Sequence, residues 1–354
     1  MSAPTISARP GEEDDADLRP VPWQRMAGVA WRQHRFTLIG VAVLLGALAV
    51  WLWTTGTTLH HAWAAAAACR PAGSPACQAL VGSFDGMNDH MTGPTSPGGV
   101  FLQAVPAVIG AFVGAPLLAR ELETGTFRFA LTQGFGRWRW ALAKLVLLAV
   151  VLAAITGAFS VLSSWYYQPY FATGNQSLSL YEMSPIPTLF SLRGVALPAW
   201  TVAAFAIGAL AGMLIRRVVP ALAATLVIYA GLAVAAAGFL REHYLAPLVT
   251  NNPNVPGTAW VISQWWTKGG RFAFTGNPPL NLLNQFCSSG PASSSKFNGP
   301  SFAQCLTPHG YTQWTSYQPA SRFWPFQWIE SGWLLALSVL LIAAAIWLVH
   351  RRAA

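Results

Sequence analysis

The segment VFLQAVPAVIGAFVGAPLLARELETGTFRFALTQGFGRWRWALAKLVLLAVVLAAITGAFS, Val100–Ser160, decides how the chain is built. Two apolar runs, Val100–Ala119 and Leu145–Ser163, flank the twenty-five residues Arg120–Lys144, which hold seven charged side chains in a chain only 9% charged. About 20 helical residues cross a hydrocarbon core of roughly 30 Å, so each run is long enough to span a membrane. The charged stretch between them reads as a hairpin in water.

Working outward, the same criterion finds four more runs, Thr37–Thr54, Gly194–Ile215, Val219–Leu240 and Trp333–Val349, and none of the six contains Asp, Glu, Lys, Arg or His. The chain is 54% hydrophobic with seventeen Trp, whereas a soluble domain carries about a quarter charged residues. Six uncharged runs are more than the buried helices of one soluble core require. The first run does not read as a signal peptide, because the residues before it are too many and too acidic for an n-region. The expected fold is therefore an all-α polytopic membrane protein with six transmembrane helices.

Cations orient it. With the N-terminus in the cytoplasm, Arg25, Arg32 and Arg35 precede the first span, and Arg120, Arg128, Arg137, Arg139 and Lys144 lie between the second and third. Arg216 and Arg217 then separate the fourth and fifth, and Arg351 and Arg352 follow the sixth. Short cytoplasmic segments are enriched in Lys and Arg, so both termini are expected inside. The net charge of +9 follows from topology and implies no nucleic-acid partner. All four cysteines then face an oxidising exterior. Cys69 with Cys77 and Cys287 with Cys305 is the simplest of three pairings, each within one outer segment.

The chain divides further along its length. Residues 1–21 are acidic, Pro-containing and poor in large apolar groups, as disordered tails are. Residues 22–36 place Trp23, Met26, Ala27, Ala30 and Trp31 at helical spacing, with Arg25 and Arg32 off that stripe. This fits an amphipathic helix lying at the cytoplasmic membrane surface against lipid; a flank that only enforces topology is the alternative. Residues 37–240 hold spans one to five, with outer segments 55–99 and 164–193. Residues 241–332 form a long outer segment rich in Trp, Phe, Pro and Gly, expected as a small cap. Residues 333–354 are the sixth span and a short tail. Gly110/Gly114 and Gly208/Gly212 have the small-residue spacing that lets membrane helices approach closely.

Recognisable chemistry is absent: no G-x4-G-K-[ST] loop, no G-x-S-x-G elbow and no H-E-x-x-H pair occurs, so no ATPase, hydrolase or metalloprotease site is expected. His60 and His61 are adjacent and do not share a helix face, which disfavours chelation. Spans without acids also disfavour a proton- or sodium-coupled carrier. If the protein transports, its energy comes from elsewhere.

Three features of the hairpin carry a resemblance: E-T-G-T at Glu123–Thr126, G-R-W at Gly136–Trp138, and Lys144 opening the third span. Together they resemble the cytoplasmic loop of ATP-binding-cassette exporter permeases of the type-2 (drug and polysaccharide exporter) class. The order of elements, an inner amphipathic helix, six spans and a long outer segment before the last, resembles the same class. Gln133-Gly134 and Gly136 depart from the Pro and Ser usual there, and the last outer segment is longer than is common.

The resemblance implies a permease paired with a second copy, as homodimer or heterodimer, in a plasma membrane, here a bacterial one. Separate ATPase subunits bind the ATP, and the chain itself holds no cofactor or metal. Glu121, Glu123, Gly125, Thr126, Arg137 and Lys144 are then the ATPase-coupling residues, and residues 22–36, with Trp23, Arg25, Trp31 and Arg32, the connecting helix. The alternative is a membrane enzyme, a lipid or cell-wall transferase, whose outer acid/base groups come from Asp85, Asp89, His90, Glu182, Glu242 and His243. Cysteines engineered at Ser83 and Asn298 are expected to react with an impermeant maleimide on intact cells, and those at Thr132 and Ala354 to stay unlabelled. Labelling at Thr132 reverses the orientation.

Overall fold

A computed structural model of the chain describes residues 23–70, 74–92, 97–123, 137–169, 189–252, 255, 259–287 and 299–352. It is mostly helical, and six helices are long and apolar enough to cross a membrane: His34–Ala68, Phe101–Glu123, Ala141–Tyr166, Ala196–Ile215, Val218–His243 and Ala320–Arg351. Each expected run lies within or close to one of these, and most helices extend past it, because polar residues at a span's ends reach water while the backbone stays helical.

The first helix is one element from Trp23 to Ala68. Its 46 residues, at about 1.5 Å each, far exceed a hydrocarbon core of roughly 30 Å. The boundary expected between a lying helix 22–36 and a span from Thr37 is therefore not a break in the helix. Leu38, Val41, Leu45, Leu52 and Leu59 are buried, a three-to-four-residue stripe. Ile39, Val43, Val50 and Trp53 on other faces are exposed, as lipid contact allows.

The fourth span is the centre of the bundle, with every residue from Ala199 to Ala209 buried. Small side chains permit this. A Cβ added at Gly208 would run into the Gly110 carbonyl and Ala115 backbone, and one at Gly212 into the Ala115 carbonyl. Reciprocally, a Cβ at Gly110 would strike Ala204 and one at Gly114 the Phe205 carbonyl. The two glycine pairs noted in the sequence are thus one interface, between the second and fourth spans. A π-turn, Gly110–Gly114, lies in the same contact; Ala115 N–H donates to the Gly110 carbonyl, five residues back. That stacks Ala115 on Gly110 and keeps both against the fourth span.

The side of the bundle near residues 34, 121, 144 and 218 is what we term the hairpin end; the opposite, cap end carries the described residues between 244 and 322. The cap needs a correction to the all-α expectation. Leu248–Thr250 (β1), Trp260–Lys268 (β2), Arg271–Thr275 (β3) and Tyr311–Gln318 (β4) make an antiparallel sheet in the order β1-β4-β2-β3. β2 and β3 are joined by Gly269-Gly270, both at positive φ, which a two-residue hairpin turn of matching twist requires. Trp266, Phe302, Leu306 and Tyr311 form the cap's own core. The disulfides Cys69–Cys77 and Cys287–Cys305 both form as expected. Gln318 Nε2 and Arg322 Nη1 each donate at 2.7 Å, to the carbonyls of Leu245 and Ala246, fastening the sheet to the end of the fifth span.

Gly208→Ala is expected to lower stability by about 1–3 kcal/mol through overpacking. Gly231→Ala, with nothing within 4 Å of the new Cβ, is expected to leave it unchanged, both read from denaturant unfolding in detergent micelles.

Candidate functional site

The third helix turns Ala141, Lys144, Leu145, Leu148 and Leu152 to one buried face, so its geometry carries Lys144 inward with the leucines. A buried lone ammonium is costly, and it is balanced here. Lys144 Nζ donates to Glu121 Oε1 at 2.5 Å, with the Lys side chain 1% and the Glu side chain 21% exposed. Two residues on, Glu123 Oε2 accepts from the backbone N–H of Val218 at 3.3 Å. Val218 opens the fifth span, and Arg217 before it offers no side-chain cap. A carboxylate from another helix thus occupies the positive end of that helix's dipole.

The last turn of the second span therefore holds the start of the third and the start of the fifth. Glu121 is largely buried, whereas Glu123 is exposed and reaches back to the fifth span from the surface. Gly125 and Thr126 lie outside the described residues. Arg137 is the first residue of the third helix, and its side chain lies outside them too. On the first helix, Trp31 and Arg32 are exposed as a surface helix needs, while the side chains of Trp23 and Arg25 are not among those described.

A cleft of about 230 Å³ opens beside Glu121, between the first and second helices, walled by Thr37, Phe112, Val113, Pro116 and Leu117 and ending at His34, Arg120 and Glu121. Glu121 Oε2 and His34 Nε2 are buried at its edge with no hydrogen-bond partner among the described residues.

The expectation that the spanning helices carry no acid is corrected at the cap end. The sixth helix begins at Phe323, ten residues before the apolar run, and buries Glu330 completely. Arg241 meets it with two parallel hydrogen bonds, Nε to Oε2 and Nη2 to Oε1, both 2.7 Å. Trp200 Nε1 donates to Oε1 at 2.7 Å and the Tyr244 hydroxyl to Oε2 at 3.2 Å. Arg241 Nη2 also reaches Ser191 Oγ at 2.6 Å, and its guanidinium covers the Phe190 ring at 4.3 Å. Burial first, and then the Glu330 carboxylate, raise the Tyr244 phenol above its ordinary pKa, so it remains a donor. One residue pair ties the fourth, fifth and sixth spans and the short helix Leu189–Leu192.

Local geometry places Arg241. The fifth span ends in a π-turn, Ala236–Leu240, in which Arg241 N–H donates to the Ala236 carbonyl. A regular helix would stack Leu240 on the buried Ala236; the i+5 bond stacks Arg241 there, leaving Leu240 43% exposed and Arg241 1%. One signal in the sequence could have found Glu330. Extending the helical period of the sixth span back from Ser338 and Leu334 lands on Glu330 or Ser331, then Gln327, then Phe323, all buried. Gln327 serves the same joint, accepting from Ala196 N–H at 2.8 Å and donating to the Phe190 carbonyl at 2.9 Å.

Among the described residues, those weighed for an enzyme do not come together. Glu242 and His243 lie 3.6 Å apart on the surface, Asp85 is on the separate helix Pro75–Thr92, and Glu182 and the side chains of Asp89 and His90 are outside the described residues. His60 hydrogen-bonds the Trp165 carbonyl and stacks on its ring, and no three His, Cys, Asp or Glu among the described residues could hold a metal ion.

Removing one partner of a buried ion pair costs about 3–5 kcal/mol. Glu330→Ala is expected to lose that much in micellar unfolding, and Arg241→Met/Glu330→Leu to lose less. Equal stability of Glu330→Ala and the parent would show that the pair holds nothing.

With this geometry in place, the comparisons are informative. A family model described as ABC-2 membrane transporter related matches residues 42–241, more than half of the chain, and the chain belongs to that family. The matched region contains the Lys144–Glu121 tie and ends at Arg241. No curated protein and no solved structure matches the chain.

Proposed function

We propose that this ABC-2 family member is the membrane-spanning subunit of an ATP-driven exporter, moving an apolar or amphipathic molecule, drug-like or lipid, outward. The family implies association with ATP-binding-cassette ATPase subunits, which bind the ATP. Two permease copies form the pathway, as homodimer or heterodimer. The Lys/Arg asymmetry supports placing the hairpin end in the cytoplasm, and the cell is taken to be bacterial from the family resemblance.

The observation that carries this reading is the double tie at the end of the second span. Glu121 engages Lys144 of the third span and Glu123 caps the fifth, so a displacement delivered to residues 124–136 reaches three helices together. Neutral surface anchoring needs no such ties, and acids contribute little to orientation. Because both carboxylates are engaged within the chain, contact with the ATPase falls to Gly125, Thr126 and Arg137, with Glu121, Glu123 and Lys144 passing force inward. The chain carries no phosphate-loop motif, in keeping with hydrolysis elsewhere.

Gly125→Val is expected to leave the permease inserted while reducing the co-purified ATPase at least tenfold, about 1.4 kcal/mol, and Glu123→Ala to keep the ATPase bound while abolishing stimulation of its hydrolysis. Arg351→Ala, at the end of the sixth helix and past its apolar run, is the comparison and is expected to change neither. Full association and transport in both loop variants would leave the charges as anchors alone.

A further inference from the structure

We infer that the cleft between the first and second helices binds an anionic amphiphile, its phosphate head at Arg120 and the top of its acyl chain along Phe112, Val113 and Leu117. Size argues first. The cleft holds about 230 Å³, below the roughly 300–1,000 Å³ of pockets that enclose a whole small molecule. At about 30 Å³ per water-sized unit it takes some eight such units, the head end of a longer molecule. The remainder would stay in lipid, which the wall permits, because Phe112 is 62% exposed on the bundle's outer surface.

Polarity changes along the cleft in the order an amphiphile needs. Phe112 and Val113 lie deep along the span and Arg120 and Glu121 at its end, so eight residues at about 1.5 Å separate tail from head by roughly 12 Å. Charge selects the sign of the head. Glu121 is the one carboxylate on the lining, with Oε1 held by Lys144 at 2.5 Å and Oε2 without a partner among the described residues. It is outnumbered by Lys144, by Arg120 on the lining, and by Arg32 and Arg35 exposed on the adjoining turns of the first helix. His34 is the other titratable group on the lining. A guanidinium has five donors, so Arg120 can add a phosphate to the contacts it already makes. Basic pockets between helices at this membrane surface suit anionic head groups. A cationic head would meet Arg120 with like charge.

This inference rests on the permease reading for its membrane setting, and gives the head-group chemistry of the amphipathic molecule that such a permease meets. It is tested on the full chain without the ATPase, so failed lipid binding and failed ATPase co-purification are separate results. Native mass spectrometry after incubation with equal dioleoylphosphatidylglycerol and dioleoylphosphatidylcholine is expected to show the anionic lipid retained several-fold over the zwitterionic one. Arg120→Gln should cut that retention about tenfold, Arg120→Lys should keep most of it, and Thr37→Trp, filling the cleft from an exposed position, should reduce it. Excess inorganic phosphate should not displace the lipid. Equal retention of both lipids, retention in Arg120→Gln matching the parent, an equal loss in Arg351→Gln, or displacement by phosphate alone would each overturn the site.

Discussion

Lipid cannot solvate a charge, so every ionic group drawn into the bundle must bring its partner with it. Lys144 and Arg241 are the two fully buried cations among the described residues, and each meets a carboxylate, Glu121 or Glu330, from a different helix. That requirement does more than neutralise charge. It fixes which helices are neighbours at each end of the bundle. Lys144–Glu121 joins the third span to the second at the hairpin end, and Arg241–Glu330 joins the fifth to the sixth at the cap end, with Trp200 bringing in the fourth. Buried pairs of this kind contribute specificity of arrangement more dependably than net stability.

Between the two ends runs the fourth span, packed backbone to backbone on the second. Van der Waals contact drives helix association where water is absent, and Gly110, Gly114, Gly208 and Gly212 supply it by leaving no side chain in the way. Both π-turns serve these joints: one holds Gly110 and Ala115 on the fourth span, and the other swings Arg241 onto Glu330. Interruptions of this kind tend to mark functional positions in helices. The second span is thus clamped in its middle and tied at its end.

Much of this was legible in the sequence, for physical reasons. Spans announce themselves because lipid tolerates so few residue types, and the six apolar runs located all six helices. The glycine pairs were visible as spacings, though not that they faced each other. The two disulfides followed from each cysteine pair sharing one segment. What was hidden depended on geometry between distant residues. Charge counting places Lys144 in a loop, but helical phase turns it inward. Glu330 lies outside the uninterrupted apolar run and was passed over, although the period of the sixth helix points to it. The sheet of the cap was obscured because its two edge strands are short, its two central strands carry Trp and Thr without a clean alternation, and the strands pair in an order unlike their order in the chain. The continuity of the first helix was obscured by the change from amphipathic to apolar composition near Thr37, which alters the environment and not the backbone.

If the tie between the second and third spans transmits the ATPase stroke, its charges matter as a pair and not individually. Exchanging them tests this. Glu121→Lys and Lys144→Glu, made singly, place like charges in a buried site and are predicted to abolish transport-coupled ATP hydrolysis with the ATPase still bound. Combined, they restore an opposite pair and are predicted to recover a substantial part of it. A double exchange no better than either single one, or single variants that couple normally, would contradict transmission through this pair.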